Sequence, residues 1–206
     1  MSPEPLTIKV PGIGPVSGLW QSPPDPIACL ALAHGAGVGM AHKSMAGIAE
    51  GLAGRGIATL RYQFPYMEKG GGRVDPPPVA HATVRAACAE ALKRAGSAPL
   101  FAGGRSFGGR MTSQAQASEP LEGVHGLVFF AFPLHTAGKP STERAAHLQK
   151  VEVPMLFLSG SKDALAELAL LEPTITGLGD RASLLLVADA DHSLSLIHIS
   201  EPTRPY

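Results

Sequence analysis

The sequence predicts an α/β fold, a mostly parallel sheet with helices on both faces and an antiparallel N-terminal hairpin. Three observations carry that reading. Short apolar runs alternate with helix-period segments through most of the 206 residues, as strands joined by crossover helices do. Several of the runs are apolar almost without a break, the mark of strands covered on both faces. The residues with chemistry in them lie just beyond the runs, where open parallel sheets meet their ligands.

Taken in order, Leu6–Val10 and Val16–Trp20 flank a Gly/Pro turn and make the hairpin. Ile27–Ala33 is a continuous apolar strand ending in His34-Gly35-Ala36-Gly37. A helix from Lys43 to Arg55 has Met45, Ile48 and Leu52 on one face and Gly56 to close it. Ala58–Phe64 is the next strand, stopped by Pro65, and Tyr66–Val74, with Gly70-Gly71-Gly72, reads as a loop. Asp75 before three prolines signals a helix start, and Val84, Cys88, Ala91, Leu92 and Ala95 recur at helical spacing. Pro99–Arg105 is a central strand, followed by a helix from Phe107 to about Ala117. Gly126–Phe132 and Met155–Ser159 are further strands, with a short helix near Ser141–Gln149 between them. Asp163–Leu178 reads as a helix and Ser183–Val187 as the last strand. Neither repeats nor a linker divide the chain, so residues 1–194 are expected to form one domain.

Composition bounds the function. Seventeen basic residues balance seventeen acidic ones with no basic stripe, which argues against nucleic acid or an anionic membrane as partner. Cys29 and Cys88 stand far apart in apolar patterns without a C-x-x-C neighbour, as buried thiols of a reducing compartment do. The N-terminus lacks the basic and apolar regions of a signal peptide, and no apolar run could span a bilayer. The expected location is cytoplasmic. The eight histidines have no metal-ligand spacing, so neither metal nor cofactor is expected.

The segment that concentrates chemistry is Gly104-Arg105-Ser106-Phe107-Gly108. G-x-S-x-G between a strand and a helix is a turn so tight that its serine is pushed out at the strand's end. In a chain with 24 glycines the pattern alone decides little; its partners decide. A serine hydroxyl needs a base to take its proton, normally a histidine held in one tautomer by a carboxylate. Asp163 follows the Met155–Ser159 strand and His192 follows the last strand, in the order Ser, Asp, His. Asp163 could also cap its helix, but its place at the strand end favours the triad. Charge developing on an attacked carbonyl needs N–H donors; the backbone of Phe107 is one candidate, and Ala36, then Gly37, the other. His34 suits a structural hydrogen bond beneath that loop better than catalysis.

These motifs, with R-Y-Q-F-P-Y at 61–66, F-P-L-H at 132–135, R-A-A-H-L at 144–148 and P-M-L-F-L-S-G-S-K-D-A-L at 154–165, together resemble one family. It is the small, cap-less bacterial α/β-hydrolase group related to dienelactone hydrolases and to the hydrolase-like domain of testis-expressed and KANSL-type proteins. The resemblance spans roughly residues 5 to 193. It implies an α/β-hydrolase fold without a cap domain, with Ser106 as nucleophile, Asp163 as acid and His192 as base. The serine departs from dienelactone hydrolase, which uses cysteine, so a lactone substrate does not carry over. Its substrate is expected to be a small ester or thioester. A non-catalytic interaction module and an acyltransferase are the alternatives. Gly35, Phe64, Tyr66, Phe132, Leu134 and His135, with His34, sit at strand ends where they could line a substrate pocket or simply pack. Arg105 could be a surface cation or a contact for an anionic substrate.

The family normally closes with a helix after the histidine loop. Here the chain ends S-L-I-H-I-S-E-P-T-R-P-Y, in which Pro202 and Pro205 oppose a helix. The tail resembles the translated read-through of a common sequencing adapter. Residues 195–206 are therefore expected to be non-native, the C-terminal helix to be missing, and the His192 loop to be unanchored.

Overall fold

The computed structural model describes residues 2–194. Eight strands form one sheet: β1 (Glu4–Val10), β2 (Gly14–Gln21), β3 (Ala28–Ala33), β4 (Ile57–Tyr62), β5 (Leu100–Arg105), β6 (Val124–Phe130), β7 (Met155–Gly160) and β8 (Ala182–Val187). Their spatial order is β1-β2-β4-β3-β5-β6-β7-β8. The β1–β2 and β2–β4 pairs are antiparallel, and every pair from β4 to β8 is parallel. The chain crosses over from β3 to β4 and back to β5, so β3 and β5 lie side by side at the centre. Their carboxyl ends carry His34-Gly35-Ala36-Gly37 and Ser106.

Among the described residues five α-helices connect the strands: α1 (Lys43–Ala53), α2 (Pro65–Glu68), α3 (Pro77–Ala95), α4 (Phe107–Ser118) and α5 (Leu168–Thr176). Helices α3, α4 and α5 share the larger core with one sheet face, through residues such as Val84, Met111 and Leu171. The α3 stripe of Ala80, Ala87, Ala91 and Ala95 is small enough for that long helix to lie close to the strands. The other face is packed by α1, whose Met45 meets Leu30, Leu32 and Phe130. Between α1 and the edge strand β8 no other helix covers this face among the described residues. An apolar depression of about 310 Å³ lies there, lined by Leu52, Phe101, Val128, Phe130 and Leu158 among others. Leu156 and Leu185 nearby are 38% and 54% exposed. The expected non-native tail lies outside the described residues.

Three segments differ from the sequence reading. Tyr66–Val74 is not all loop, because Pro65 opens the one-turn α2; proline's fixed φ suits a first helical position. Asp75 does not cap α3, whose preceding residue is Pro76 with no side-chain cap. Its carboxylate instead accepts the Tyr66 N–H at 3.0 Å. The segment after β7 stays non-helical until Leu168, so Asp163 is not a helix cap. Its Oδ1 accepts the Leu165 N–H at 2.8 Å, the local turn that aspartate side chains favour.

Candidate active site

At the carboxyl end of β5 the backbone reverses into α4 at Ser106, whose φ of 50° and ψ of −115° are rare for a residue with a side chain. The neighbouring glycines allow that turn. A Cβ on Gly104 would lie 2.6 Å from the Ala33 carbonyl oxygen, and one on Gly108 2.5 Å from that of His34. On Gly103 it would collide with the Val128 carbonyl. Helix α4 thus presses on β3 and β5 backbone to backbone, and the Ser106 N–H donates to Phe130 O at 3.0 Å.

Ser106, Asp163 and His192 come from the ends of three strands and meet. His192 Nε2 is 2.8 Å from Ser106 Oγ, and Nδ1 is 2.8 and 3.0 Å from the two oxygens of Asp163. The Asp163 side chain is fully buried and that of His192 is 24% exposed. An ionised buried carboxylate needs its hydrogen bonds, and here it accepts from the imidazole and from the Leu165 amide. That arrangement places the proton on Nδ1 and leaves the Nε2 lone pair facing the serine.

The loop bearing His192 is tied to the loop bearing Asp163, contrary to the expectation that it is unanchored. Ser161 N–H donates to Val187 O at 3.0 Å and Lys162 N–H to Ala190 O at 2.9 Å. The Asp189 N–H donates to Ser161 Oγ at 2.9 Å. Lys162 Nζ pairs with Asp189 at 2.8 Å and holds that carboxyl below its ordinary value. Gly160 lets the two backbones cross, since a Cβ there would strike the Ala190 carbonyl. These ties lie within residues 160–194.

The loop after β3 leans on the elbow: a Cβ on Gly35 would stand 3.8 Å from Ser106 Cβ. It is fixed by the 61–66 segment. His34 Nε2 accepts the Phe64 N–H at 3.0 Å, so Nδ1 carries the proton and donates to Gly35 O at 2.7 Å. Burial lowers the His34 pKa and keeps the ring neutral. Tyr66 OH donates to Ala36 O at 2.8 Å, and burial raises its phenol to about 12. Because a trans peptide sets its N–H opposite its carbonyl, these bonds turn the N–H groups of Ala36 and Gly37 away from His34 and Tyr66. Phe107, the first residue of α4, has no carbonyl one turn back within the helix. Arg61 Nη1 donates to Met40 O at 3.2 Å, and Gln63 Oε1 accepts the Met40 N–H at 2.9 Å. The sequence reading missed both as loop supports; the only signal was that they share the R-Y-Q-F-P-Y motif with Tyr66.

The remaining pocket candidates fare differently. Phe64, Phe132 and Leu134 are fully buried, so they back the site instead of lining it. Phe64 packs edge-on against His34 and Phe107, and Phe132 against Phe129 and Phe157. His135 is buried too, its Nδ1 2.9 Å from Thr136 O. Arg105 turns toward α1, donating to Ser44 Oγ at 3.3 Å. Among the described residues no three His, Cys, Asp or Glu side chains form a metal site, and no helix is long and apolar enough to cross a membrane.

Residues 26–205 match the family model described as an alpha/beta hydrolase domain. The chain belongs to the α/β-hydrolase family. The structure is similar to an alpha-beta serine hydrolase homologue from Coxiella burnetii, with a TM-score of 0.77 and 19% identity over 93% of this chain and 90% of that one. It is similar to a serine hydrolase without a lid from Xanthomonas campestris, with a TM-score of 0.73 and 22% identity over 94% and 87%. A dienelactone hydrolase from Anabaena variabilis aligns with a TM-score of 0.75 and 20% identity over 98% and 91%. At these identities the likeness concerns the fold, an eight-stranded, mostly parallel sheet with an antiparallel N-terminal hairpin and no separate cap domain.

Proposed function

We propose that this α/β hydrolase is a serine hydrolase that cleaves small carboxylic esters or thioesters through an acyl-enzyme. The observation that carries the reading is the continuous hydrogen-bonded line from Ser106 Oγ through His192 to Asp163. In the first step Ser106 Oγ bonds to the carbonyl carbon while its proton passes to His192 Nε2. The carbonyl π electrons move to the oxygen, where the N–H groups of Phe107 and of Ala36, with Gly37 second, receive the negative charge. Asp163 remains ionised and stabilises the imidazolium. Collapse of the intermediate breaks the bond to the alcohol or thiol, which leaves with the proton from Nε2. Water, activated by the same imidazole, then attacks the acyl-enzyme and releases the acid. The similarity to a lidless serine hydrolase favours small or flexible acyl groups.

A fluorophosphonate probe is expected to label the protein at Ser106, and the Ser106→Ala variant is expected to take no label. Labelling that survives in the variant refutes the assignment. Hydrolysis of short p-nitrophenyl esters separates a catalyst from an interaction module, and added alcohols report any acyl transfer.

We also propose that residues 1–194 are the hydrolase domain, akin to the testis-expressed and KANSL-type hydrolase-like domain, and that residues 195–206 are foreign. The motif set supports the first part; the adapter-like tail and the apolar sheet face beside α1 support the second. Resequencing the source locus tests it, and tail codons present in the genomic sequence refute it.

A further inference from the structure

One guanidinium beside the elbow is incompletely partnered among the described residues. Arg110 lies in α4, and its amide donates to Ser106 O at 3.1 Å, so the two residues stand on one helix face about 6 Å apart along the axis. Long side chains on a helix lean toward its N-terminus, which carries the guanidinium toward the Ser106 end. Its Nε is buried with no hydrogen-bond partner. Among the described residues the guanidinium makes no ion pair, and its contact is the Phe107 ring, 6.0 Å from Cζ to centroid. A buried donor without an acceptor is costly and calls for an explanation.

Arg110 faces a cavity of about 600 Å³ between the start of α3 and α4, lined also by Arg73, Asp75, Pro77, Phe107 and Met111. The cavity therefore reaches the residue that follows Ser106. Two guanidiniums meet one carboxylate there, and the Asp75 carboxylate already accepts the Tyr66 N–H. Burial lowers the Arg110 pKa, and the positive potential of Arg144, whose Nη1 donates to His135 O at 3.0 Å, lowers it further. The surroundings hold more positive charge than they neutralise.

We propose that this cavity is an anion subsite, in which Arg110 and Arg73 bind a carboxylate on the acyl chain of the substrate, so that the enzyme favours monoesters or thioesters of short dicarboxylic acids. The inference rests on the serine-hydrolase reading for its view of turnover, but the binding site does not depend on catalysis. Arg110 supplies the desolvated fork, which suits the planar carboxylate. Arg73, exposed on the rim, supplies attraction at longer range. Ser106 and Arg110 stand one helical turn apart, and that short separation sets the choice of a short dicarboxylic acyl chain for the test.

The test compares mono-p-nitrophenyl glutarate with p-nitrophenyl butyrate, similar in reach but differing in charge. In the native protein kcat/KM is expected to favour the glutarate ester. Arg110→Gln is expected to lower the glutarate-to-butyrate ratio by about tenfold or more, the scale of a hydrogen bond to a charged group. Arg110→Lys should recover part of the loss, and the rim variant Arg73→Gln should lower the ratio several-fold. A ratio that moves with neither Arg110→Gln nor Arg73→Gln overturns the proposal, and the exposed Arg73 keeps that outcome available if Arg110→Gln does not fold. Glutarate titrated into Ser106→Ala, followed by calorimetry, gives a readout without turnover. Binding that weakens about tenfold on adding Arg110→Gln supports the subsite even if neither ester is hydrolysed, in which case the hydrolase reading alone has failed. Butyrate hydrolysis with no arginine-dependent glutarate binding leaves the hydrolase reading standing and overturns the subsite.

Discussion

Replacing Gly108 by alanine is expected to destabilise the protein although alanine is the better helix former. The added methyl would sit 2.5 Å from His34 O, 2.7 Å from Ala33 Cβ and 2.8 Å from Ala33 C. Comfortable carbon contacts begin near about 3.5 Å, so α4 would have to retreat from β3 by nearly 1 Å. None of the opposing atoms is the end of a flexible side chain. Overfilling a packed site costs about 1–3 kcal/mol, and this case belongs at the top of that range because backbone must move. The helical preference of alanine returns at most about 1 kcal/mol. The net loss is about 2 kcal/mol, which lowers the Tm of a domain this size by about 4–8 °C. Gly47 provides the opposite case. It lies inside α1 with open space where a Cβ would go, so Gly47→Ala should stabilise by about 0.5–1 kcal/mol. Urea and thermal unfolding of both variants check the pair. Gly108→Ala as stable as the native protein would refute the claim that close helix–strand approach shapes the elbow.

Three further expectations address the site. Asp163→Asn should reduce kcat on p-nitrophenyl butyrate by about 10³–10⁴-fold through the wrong histidine tautomer; a loss under tenfold would mean that the carboxylate does not orient His192. Tyr66→Phe deletes the hydroxyl on the Ala36 carbonyl and should lower kcat about tenfold with little change in KM, part of the effect of losing an oxyanion donor outright; parallel changes in kcat and KM would place Tyr66 in substrate binding instead. His147 has its pKa lowered to about 4, first by burial and then by Arg110 and His81, against about 6.5 when unfolded. The unfolded chain therefore binds the extra proton, and stability falls as pH drops from about 6.5 toward 4. Urea midpoints between pH 7.5 and 5 should decline less steeply in His147→Gln, and identical slopes would refute the assignment.

The strands could be read in outline because their signals are local. Ala28–Ala33 throughout and Leu100–Arg105 up to its final arginine are apolar or small, as central strands must be, and the Pro65 and Gly56 boundaries follow from backbone geometry. Ser106 was legible for the same reason, since the elbow's glycines are neighbours in sequence. What escaped were contacts that depend on how separate loops face one another. Nothing in the sequence says that Phe64 and Phe132, at strand ends, turn into the core while Arg105 turns toward α1. Asp163 shows the difficulty well. Apolar spacing from Ala164 onward fits a helix, yet the carboxylate is held by Leu165 N–H and His192 before the helix begins at Leu168.

The same distinction explains the 61–66 segment. Its motif announces that something is held there without saying what. In the structure Arg61 and Gln63 grip the two polar groups of Met40, the Phe64 amide holds His34, and Tyr66 holds the Ala36 carbonyl. One strand end thereby restrains successive points of a loop that lacks regular structure of its own. A glycine-rich loop left free would meet a developing charge only after ordering itself, at about 1–2 kcal/mol per residue fixed. In the proposed mechanism this preordering by residues 61–66 removes that cost from the reaction, because donors already aimed need no reorganisation when the oxyanion forms. In the proposed mechanism the buried Arg61, His34 and Tyr66 stand to the Ala36–Gly37 donors as Asp163 stands to His192: groups that hold in place the ones meeting the reacting carbonyl.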